Sequence, residues 1–308
     1  MNLHLKYRPA NIDEFKGNRG TVESIRSLFE KKNIPHSFMF VGKSGVGKTT
    51  LARIIAKGVG CDEIREINAS DTRGIDYMRN LISSIRYKPL TGKPKAFILD
   101  EFHQATTDAQ NALLKPLEDT PEYVYFMICT TNPEKILPTI QNRCYKYTLN
   151  PLTNKDILDL LTTVIKAEEL KVTPEITELI IELSEGIPRT ALVLLGMLHD
   201  VKDLDTAVEM AYSEVYSTEG IIDLCKLLMK GAGWDAIIKL LNELKETDFE
   251  RNRIAMLGYF GGCLKNSKDL SNIVYYSQCM DILATPLNYV TGKNDFLLRM
   301  AKLWILKV

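Results

Sequence analysis

The sequence has few of the residues and patterns that mark secreted, metal-held or membrane proteins. Its 308 residues include six cysteines and four histidines, and neither type forms a CxxC or HExxH pair. A disulfide framework and a cysteine-held metal are therefore not expected, and reduced thiols in a cytoplasmic protein are the better interpretation. No apolar run approaches the roughly 18 residues that a membrane span needs. Residues 1–9 lack the apolar segment of a signal peptide.

An excess of charge of either sign is also missing. Lys and Arg number 39, as do Asp and Glu, so the formal net charge is zero. Hydrophobic residues at 45% and charged residues at 25% are typical of globular domains. This composition excludes a disordered tail protein and a chain that coats DNA through bulk positive charge, but it allows a local basic patch. At about 150 residues per domain, the length predicts two or three domains.

The first half of the chain alternates strand and helix patterns. Short apolar runs predict strands at 37–41, 64–68, 96–99 and 123–130, and helical patterns lie between them at 49–57, 76–85 and 108–117. Such alternation predicts a parallel sheet with helices on both faces. We therefore expect an α/β domain over residues 1–151.

Beyond Pro151 the pattern is helical. Thr153 and Asp156 have the spacing of a capping box, and Thr173-Pro174 gives a second start signal. A third helix is expected from about Arg189, and the polar stretch 213–220 is interpreted as a joint. These features predict an all-α domain over 152–214 and a second all-α domain over 215–308.

One segment matches the phosphate-loop pattern GxxxxGK[ST] in full. Its residues are Gly42, Lys43, Ser44, Gly45, Val46, Gly47, Lys48 and Thr49, with Thr50 next in the following helix. Backbone N–H groups of such a loop and the helix N-terminus surround phosphate oxygens. Lys48 would neutralise the β- and γ-phosphates, and Thr49 would offer its hydroxyl to Mg²⁺. A strand before the loop and a helix after it make a chance glycine-rich turn the weaker alternative.

Two carboxylates, Asp100 and Glu101, end the apolar run at 96–99. Ligands of open α/β sheets bind at the carboxyl ends of strands. Asp100 would hold the Mg²⁺ shell, and Glu101 would orient the attacking water. Alone, the pair is equally compatible with a solvated loop. Together with the upstream phosphate loop, it predicts nucleoside-triphosphate hydrolysis.

These residues, with Lys6-Tyr7-Arg8-Pro9 and the segments 36–40, 66–71 and 111–118, resemble the AAA+ clamp-loader ATPases. These are the small subunits of replication factor C and the gamma/tau subunit of bacterial DNA polymerase III. The resemblance is dense over 3–195 and thin beyond. It implies an α/β AAA+ P-loop domain with a parallel sheet, an all-α lid domain and an all-α collar domain. A compact subunit from a bacterium or a phage is expected.

The resemblance also implies a function and its partners. ATP, with Mg²⁺, would order an assembly of loader subunits, expected to be pentameric. The assembly would open a sliding clamp and load it on primer–template DNA, and hydrolysis would release the loaded clamp. Two alternatives remain: another DNA-acting AAA+ ATPase, such as a branch-migration motor or helicase loader, and a structural subunit of the loader that does not hydrolyse ATP. The intact phosphate loop and Asp-Glu pair argue against the last.

Further site residues follow from the resemblance. They are Tyr7 and Arg8 beside the adenine, Asn132 as sensor 1, Pro188 and Arg189 at sensor 2, and Arg143 as an arginine finger acting in trans on a neighbouring subunit's ATP. Asn142 stands where the family has a serine, which leaves the packing around Arg143 open. The alternative for Asn132 is an Asx turn. The alternative for Arg143 and Arg189 is a side chain that faces solvent.

The resemblance places DNA and clamp contacts on this chain as well. The candidates for DNA are Thr72, Arg73, Arg79, Thr106 and Thr107, and those for the clamp are Tyr87 and Leu90. Solvated helix faces and ordinary core packing are the alternatives for these residues. Cys61 stands where the bacterial subunit has the first of four zinc ligands, and no zinc is expected here.

Overall fold

The computed structural model describes residues 2–71, 75–85, 87–89, 91–216, 220–243, 249–287 and 292–307. They form two compact units. One consists of Asn2–Val164 with Glu185–Leu192, and the other of Ile165–Ser184 with Val193–Val308. The division into three domains at 151 and 214 stays a prediction.

Five parallel strands form the sheet of the first unit. They are β1 Ser37–Val41, β2 Glu63–Asn68, β3 Lys95–Asp100, β4 Val124–Thr130 and β5 Tyr145–Thr148, in the order β2-β3-β4-β1-β5. The predicted parallel sheet is thus confirmed, with a fifth strand that the sequence analysis did not assign. β5 is a short edge strand with largely exposed side chains, so it has no apolar run to mark it.

α-Helices lie between the strands and follow them along the chain. Those up to residue 141 are α1 Leu3–Lys6, α2 Arg19–Glu30, α3 Lys48–Gly58, α4 Ile75–Ile85, α5 Thr107–Glu118 and α6 Pro138–Gln141. The later ones are α7 Asn154–Ala167, α8 Pro174–Ser184, α9 Pro188–Leu198, α10 Leu204–Tyr216, α11 Ile221–Met229, α12 Trp234–Glu243, α13 Phe249–Asn266, α14 Leu270–Leu283 and α15 Gly292–Ile305. In the described ranges no strand follows Thr148, and no helix is both long and apolar enough to cross a membrane.

The central strands β1, β3 and β4 are buried on both faces of the sheet. Successive side chains of a strand point to opposite sides, so each strand contributes to two cores. In β1, Phe38 and Phe40 belong to a core with residues of α2 and α3. Met39 and Val41 belong to a second core with residues of α4 and α5. A strand covered on both sides must be apolar throughout, which explains why β1, β3 and β4 are continuous hydrophobic runs.

The predicted helix starts after Pro151 are confirmed. The Thr153 hydroxyl accepts from the Asp156 N–H at 3.2 Å, and the Thr153 N–H donates to the Asp156 carboxylate at 3.4 Å, which makes the capping box before α7. α8 begins at Pro174 as predicted. The joint proposed at 213–220 is partly wrong, because α10 stays helical through Tyr216, and 217–219 lie outside the described residues.

The second unit is built around the long helix α13, whose Met256 and Phe260 are fully buried. α13 packs against α10, α11, α14 and α15. This agrees with the prediction that residues after about 215 are helical.

Candidate functional site

The phosphate loop links β1 to α3 with backbone angles that favour glycine. Gly47 precedes α3 at φ +106°, and Gly45 lies at φ +79°. A Cβ on Gly45 would lie 2.7 Å from Cγ2 of Ile187. Glycine is therefore needed at position 45 both for its conformation and for the close approach of the segment before α9.

Lys48 lies at the centre of this loop and is 5% exposed. Its ammonium donates to the carbonyl oxygens of Gly42 at 2.9 Å and Lys43 at 3.1 Å. Burial lowers the pKa of Lys48, whereas Glu101 and Asp100 raise it. The two carboxylates thus favour the charged amine that a phosphate would require.

The two predicted Mg²⁺ ligands are in direct contact. The Thr49 hydroxyl donates to Oδ2 of Asp100 at 2.7 Å, which joins the start of α3 to the end of β3. A hydroxyl and a carboxylate oxygen fit Mg²⁺, which usually takes one or two protein ligands and completes its shell with phosphate and water. Within the described ranges, no group of three or more His, Cys, Asp or Glu side chains could hold a metal ion.

Glu101 directly follows the carboxyl end of β3, and its backbone lies in the left-handed region with φ +48°. Its N–H donates to Oδ1 of Asp100 at 3.0 Å. Its carboxylate Oε2 lies 3.4 Å from the Thr131 hydroxyl and 3.3 Å from Nδ1 of His103. The sequence analysis did not identify Thr131 or His103.

A cavity of about 630 Å³ opens above the phosphate loop. Most predicted nucleotide-site residues line it: Tyr7, Arg8, Ser44, Gly45, Val46, Gly47, Lys48, Thr49, Thr50, Asp100, Glu101, Pro188 and Arg189. Gly42, Lys43, Asn132 and Arg143 do not line it. Phe15, Leu152 and Leu192 add an apolar wall that the sequence analysis missed.

Two arginines, Arg8 and Arg189, line the cavity. Burial lowers the pKa of Arg8, and Arg53 lowers it further, whereas Glu66 raises it. Arg53 donates to Glu66 at 2.7 Å. Arg189 also lowers the pKa of Arg8 and lines the same cavity. This concentration of cationic groups suits a ligand with several negative charges.

Asn132 follows β4 and precedes the one-turn helix Pro133–Lys135. Its side chain makes no capping hydrogen bond there, which argues against the alternative of an Asx turn. Its N–H donates to the Thr130 hydroxyl at 3.1 Å. The Thr130 carbonyl in turn accepts from the N–H of Gly42 at 3.2 Å. The end of β4 is thereby tied to the start of the phosphate loop.

Arg143 follows α6 and is not one of the residues that line the cavity. Its guanidinium donates to the Thr139 carbonyl at 2.9 Å and lies 3.3 Å from the carboxylate of Glu118. The side chain is about one third exposed, at 32%. Neither of these contacts involves the phosphate loop of the same chain.

The described candidates for DNA and clamp contacts lie at the start of α5 and on or just after α4. Thr106 caps α5 by accepting from the N–H of Ala109 at 3.3 Å, and Thr107 is the first residue of that helix. Arg79 is exposed on α4, and Tyr87 is 76% exposed. The other candidates, Thr72, Arg73 and Leu90, lie outside the described residues.

All six cysteines are in the described part of the chain, and all are free thiols. Burial raises the pKa of Cys61 and of Cys144 to about 12. Thiols with a raised pKa are poor nucleophiles, because the thiolate is the reactive form. Cys61 and Cys144 are therefore not expected to act as nucleophiles.

Sequence comparisons relate the chain to known proteins. Residues 63–153 match the family model described as DNA polymerase III, delta subunit. The replication factor C small subunit of Methanococcus vannielii is 30% identical over 284 residues, which cover 84% of this chain and 90% of that protein. DNA polymerase III subunit gamma/tau of Mycoplasma genitalium is 32% identical over 244 residues. The match covers 72% of this chain but only 40% of the mycoplasma protein's length.

Solved structures show the same fold. The Thermotoga maritima RuvB Holliday junction branch migration motor superposes with a TM-score of 0.56 at 20% identity, over 77% of this chain and 85% of that one. At this identity the similarity concerns the fold alone.

Proposed function

Because the chain belongs to the clamp-loader family of AAA+ ATPases, which includes the replication factor C small subunits, we propose that it is an ATP-driven loader subunit. It opens the sliding clamp of a DNA polymerase and places it on primer–template DNA. Hydrolysis of ATP then releases the loaded clamp. The match over 90% of a replication factor C small subunit supports this function for the chain as a whole.

The observation that carries the proposal is the shared cavity of the phosphate loop, the Asp-Glu pair and Arg189. In it Lys48 binds the β- and γ-phosphates, and Thr49 and Asp100 hold Mg²⁺. The ion, when bound, draws charge from the phosphate oxygens during transfer. Glu101 orients the water that attacks the γ-phosphate. Tyr7 and Arg8 lie at the nucleoside end, and Asn132 and Arg189 respond to the γ-phosphate as sensors.

Hydrolysis in this proposal requires assembly, because Arg143 acts on ATP held by a neighbouring subunit. Its contacts with Thr139 and Glu118 keep the guanidinium at the surface of its own chain, where a neighbour can meet it. The ring is pentameric in this proposal, with residues 152–214 as the lid and 215–308 as the collar. Exposed Leu270, Val274 and Ile305 give the helical C-terminal part apolar area for subunit contacts.

DNA and clamp are held by separate surfaces. The N-terminus of α5, with Thr106 and Thr107, and Arg79 on α4 contact DNA phosphates, together with Thr72 and Arg73. Tyr87, exposed to 76%, and Leu90 contact the clamp, since large apolar side chains are the usual anchors of protein interfaces.

A motor for branch migration remains the weaker candidate. Its only support is the fold shared with RuvB at 20% identity, and fold alone does not determine function.

Clamp loading tests the proposal. The chain, with its partner subunits, is mixed with labelled clamp, primed circular DNA and ATP, and clamp that stays on the DNA is measured after gel filtration. We expect loading to require both the chain and ATP, and Lys48→Ala to remove it. Loading that proceeds without the chain or without ATP would contradict the proposal.

A further inference from the structure

His103 lies two residues after Glu101, in the one-turn helix Phe102–Gln104. Its side chain is 7% exposed, so its ring is fixed by packing. Ring nitrogen Nδ1 lies 3.3 Å from Oε2 of Glu101 and 3.2 Å from the hydroxyl of Thr130. The imidazole thus stands between the carboxylate of Glu101 and the end of β4.

The other ring nitrogen determines which tautomer is present. Nε2 of His103 lies 3.0 Å from the side-chain amide nitrogen of Gln104. In the Gln104 orientation of this structure the amide nitrogen donates to Nε2, which leaves Nδ1 as the ring nitrogen that carries a proton. Nδ1 is hydrogen-bonded to the Thr130 hydroxyl at 3.2 Å, and it lies 3.3 Å from Oε2 of Glu101.

The contact continues into the segment of sensor 1. The Thr130 hydroxyl accepts from the N–H of Asn132 at 3.1 Å, and the Thr131 hydroxyl donates to the same Glu101 oxygen at 3.4 Å. Hydrogen bonds thus join Glu101 to Thr131 and His103 to Thr130, and the His103 ring connects the two pairs through its 3.3 Å contact with the Glu101 carboxylate. Glu101 itself is in the left-handed region, where its carboxylate position depends on such partners.

We propose that His103 is a positioning residue: its Nδ1–H fixes the Glu101 carboxylate relative to Thr130–Asn132, so that the carboxylate is placed for hydrolysis only when that segment is in place. This inference rests on the proposed function, because it acts through the water-orienting role of Glu101. It gives His103 no contact with ATP and hence no part in nucleotide affinity.

Three substitutions separate positioning from packing. In His103→Asn the new side-chain amide nitrogen takes the place of Nδ1. In His103→Gln it takes the place of Nε2, and His103→Ala removes both nitrogens. In the assembled loader with clamp and primed DNA, we expect kcat to fall about 10- to 100-fold for His103→Ala and His103→Gln. His103→Asn should restore most of the rate. Affinity for a non-hydrolysable ATP analogue should be unchanged in all three.

The contrast between Asn and Gln decides the question even if His103→Ala is poorly folded. Equal rates for the Asn and Gln variants, or a loss of analogue binding that accounts for the slower rate, would overturn the inference. So would a His103→Ala rate within about threefold of the unchanged chain, since a misplaced catalytic group costs more than that.

Glu101→Gln separates this inference from the proposed function. If His103 acts through Glu101, adding His103→Ala to Glu101→Gln should change kcat less than about twofold. A further loss as large as in the single variant overturns the positioning role alone. A Glu101→Gln chain with full activity overturns both the positioning role and the assignment of Glu101.

Discussion

At the scale of single residues, the part of the site that belongs to a continuous motif could be predicted, and the part assembled by folding could not. Lys48 and Thr49 lie in the phosphate loop, and Asp100 and Glu101 end a strand, so spacing alone predicted that they meet. His103 and Thr131 carry no such pattern. Their roles depend on β3 and β4 ending side by side, and the only available signal was their position just after predicted strands.

Gly45 gives the most direct test of the loop geometry. Gly45→Ala should weaken ATP binding about tenfold, because φ +79° disfavours a side chain and the new Cβ would lie 2.7 Å from Cγ2 of Ile187. Gly20→Ala is the matched control, since a Cβ there meets no atom within 4 Å. Titration with a fluorescent ATP analogue measures both. Equal affinities in the two variants would refute the packing of Ile187 on the loop.

The environment of Glu250 predicts how the free energy of unfolding depends on pH. Hydrogen bonds from Arg253 hold the pKa of Glu250 below its ordinary value of 4.5, and the N–H of Leu287 lowers it too. A pKa lower in the folded state means stabilisation that is complete above pH 4.5 and lost as pH falls through the folded pKa. The free energy of unfolding should therefore drop below about pH 4.5, and less steeply in Glu250→Gln. Urea titrations across this range measure the slopes, and identical slopes would contradict the pairing.

At the scale of helices and strands, elements with a buried face were predictable and elements placed by their neighbours were not. β1 has its predicted bounds, whereas β3 is one residue longer at each end and β4 begins one residue later than predicted. β5 was missed because its position comes from pairing with β1 rather than from apolar side chains. The helices after residue 250 were predicted only as helical, and the carboxyl end of α14 is one boundary without a local signal, since distant arginines bind its carbonyls.

Two buried arginines donate hydrogen bonds to carbonyl groups at the carboxyl end of α14. Arg253 donates to the Leu283 carbonyl, and Arg299 donates to the carbonyls of Ile282 at 3.2 Å and of Thr285. The last carbonyls of a helix have no partner within it, so these bonds fix where α14 stops.

Arg299→Met should therefore lower the free energy of unfolding by about 3 kcal/mol, because it removes the buried ion pair with Asp295 and the donor to the carbonyls of Ile282, Thr285 and Pro286. The exposed Lys302, on the same helix, provides the control. Lys302→Met should change stability by less than about 0.5 kcal/mol. Urea unfolding of the two variants gives the comparison, and similar values for both would contradict a role of Arg299 in closing α14.

At the scale of the whole molecule, a zero net charge is compatible with the proposal that each subunit contacts DNA through a small surface repeated around a ring. One sequence cannot supply the proposed ring, because every contact that would complete it lies between chains. The same holds for Arg143, which is held by Thr139 and Glu118 at the surface rather than in the cavity. Each chain thus carries a nucleotide site of its own. It also carries Arg143, which is proposed to complete the nucleotide site of the neighbouring chain.

The steady-state ATPase rate of the assembled loader tests this account most directly. It is measured alone, with primed DNA, with clamp, and with both, for the unchanged chain and for Arg143→Ala. We predict strong joint stimulation by clamp and DNA, and its loss in Arg143→Ala while ATP binding persists. A rate indifferent to clamp and DNA, or stimulation that survives Arg143→Ala, would contradict the account.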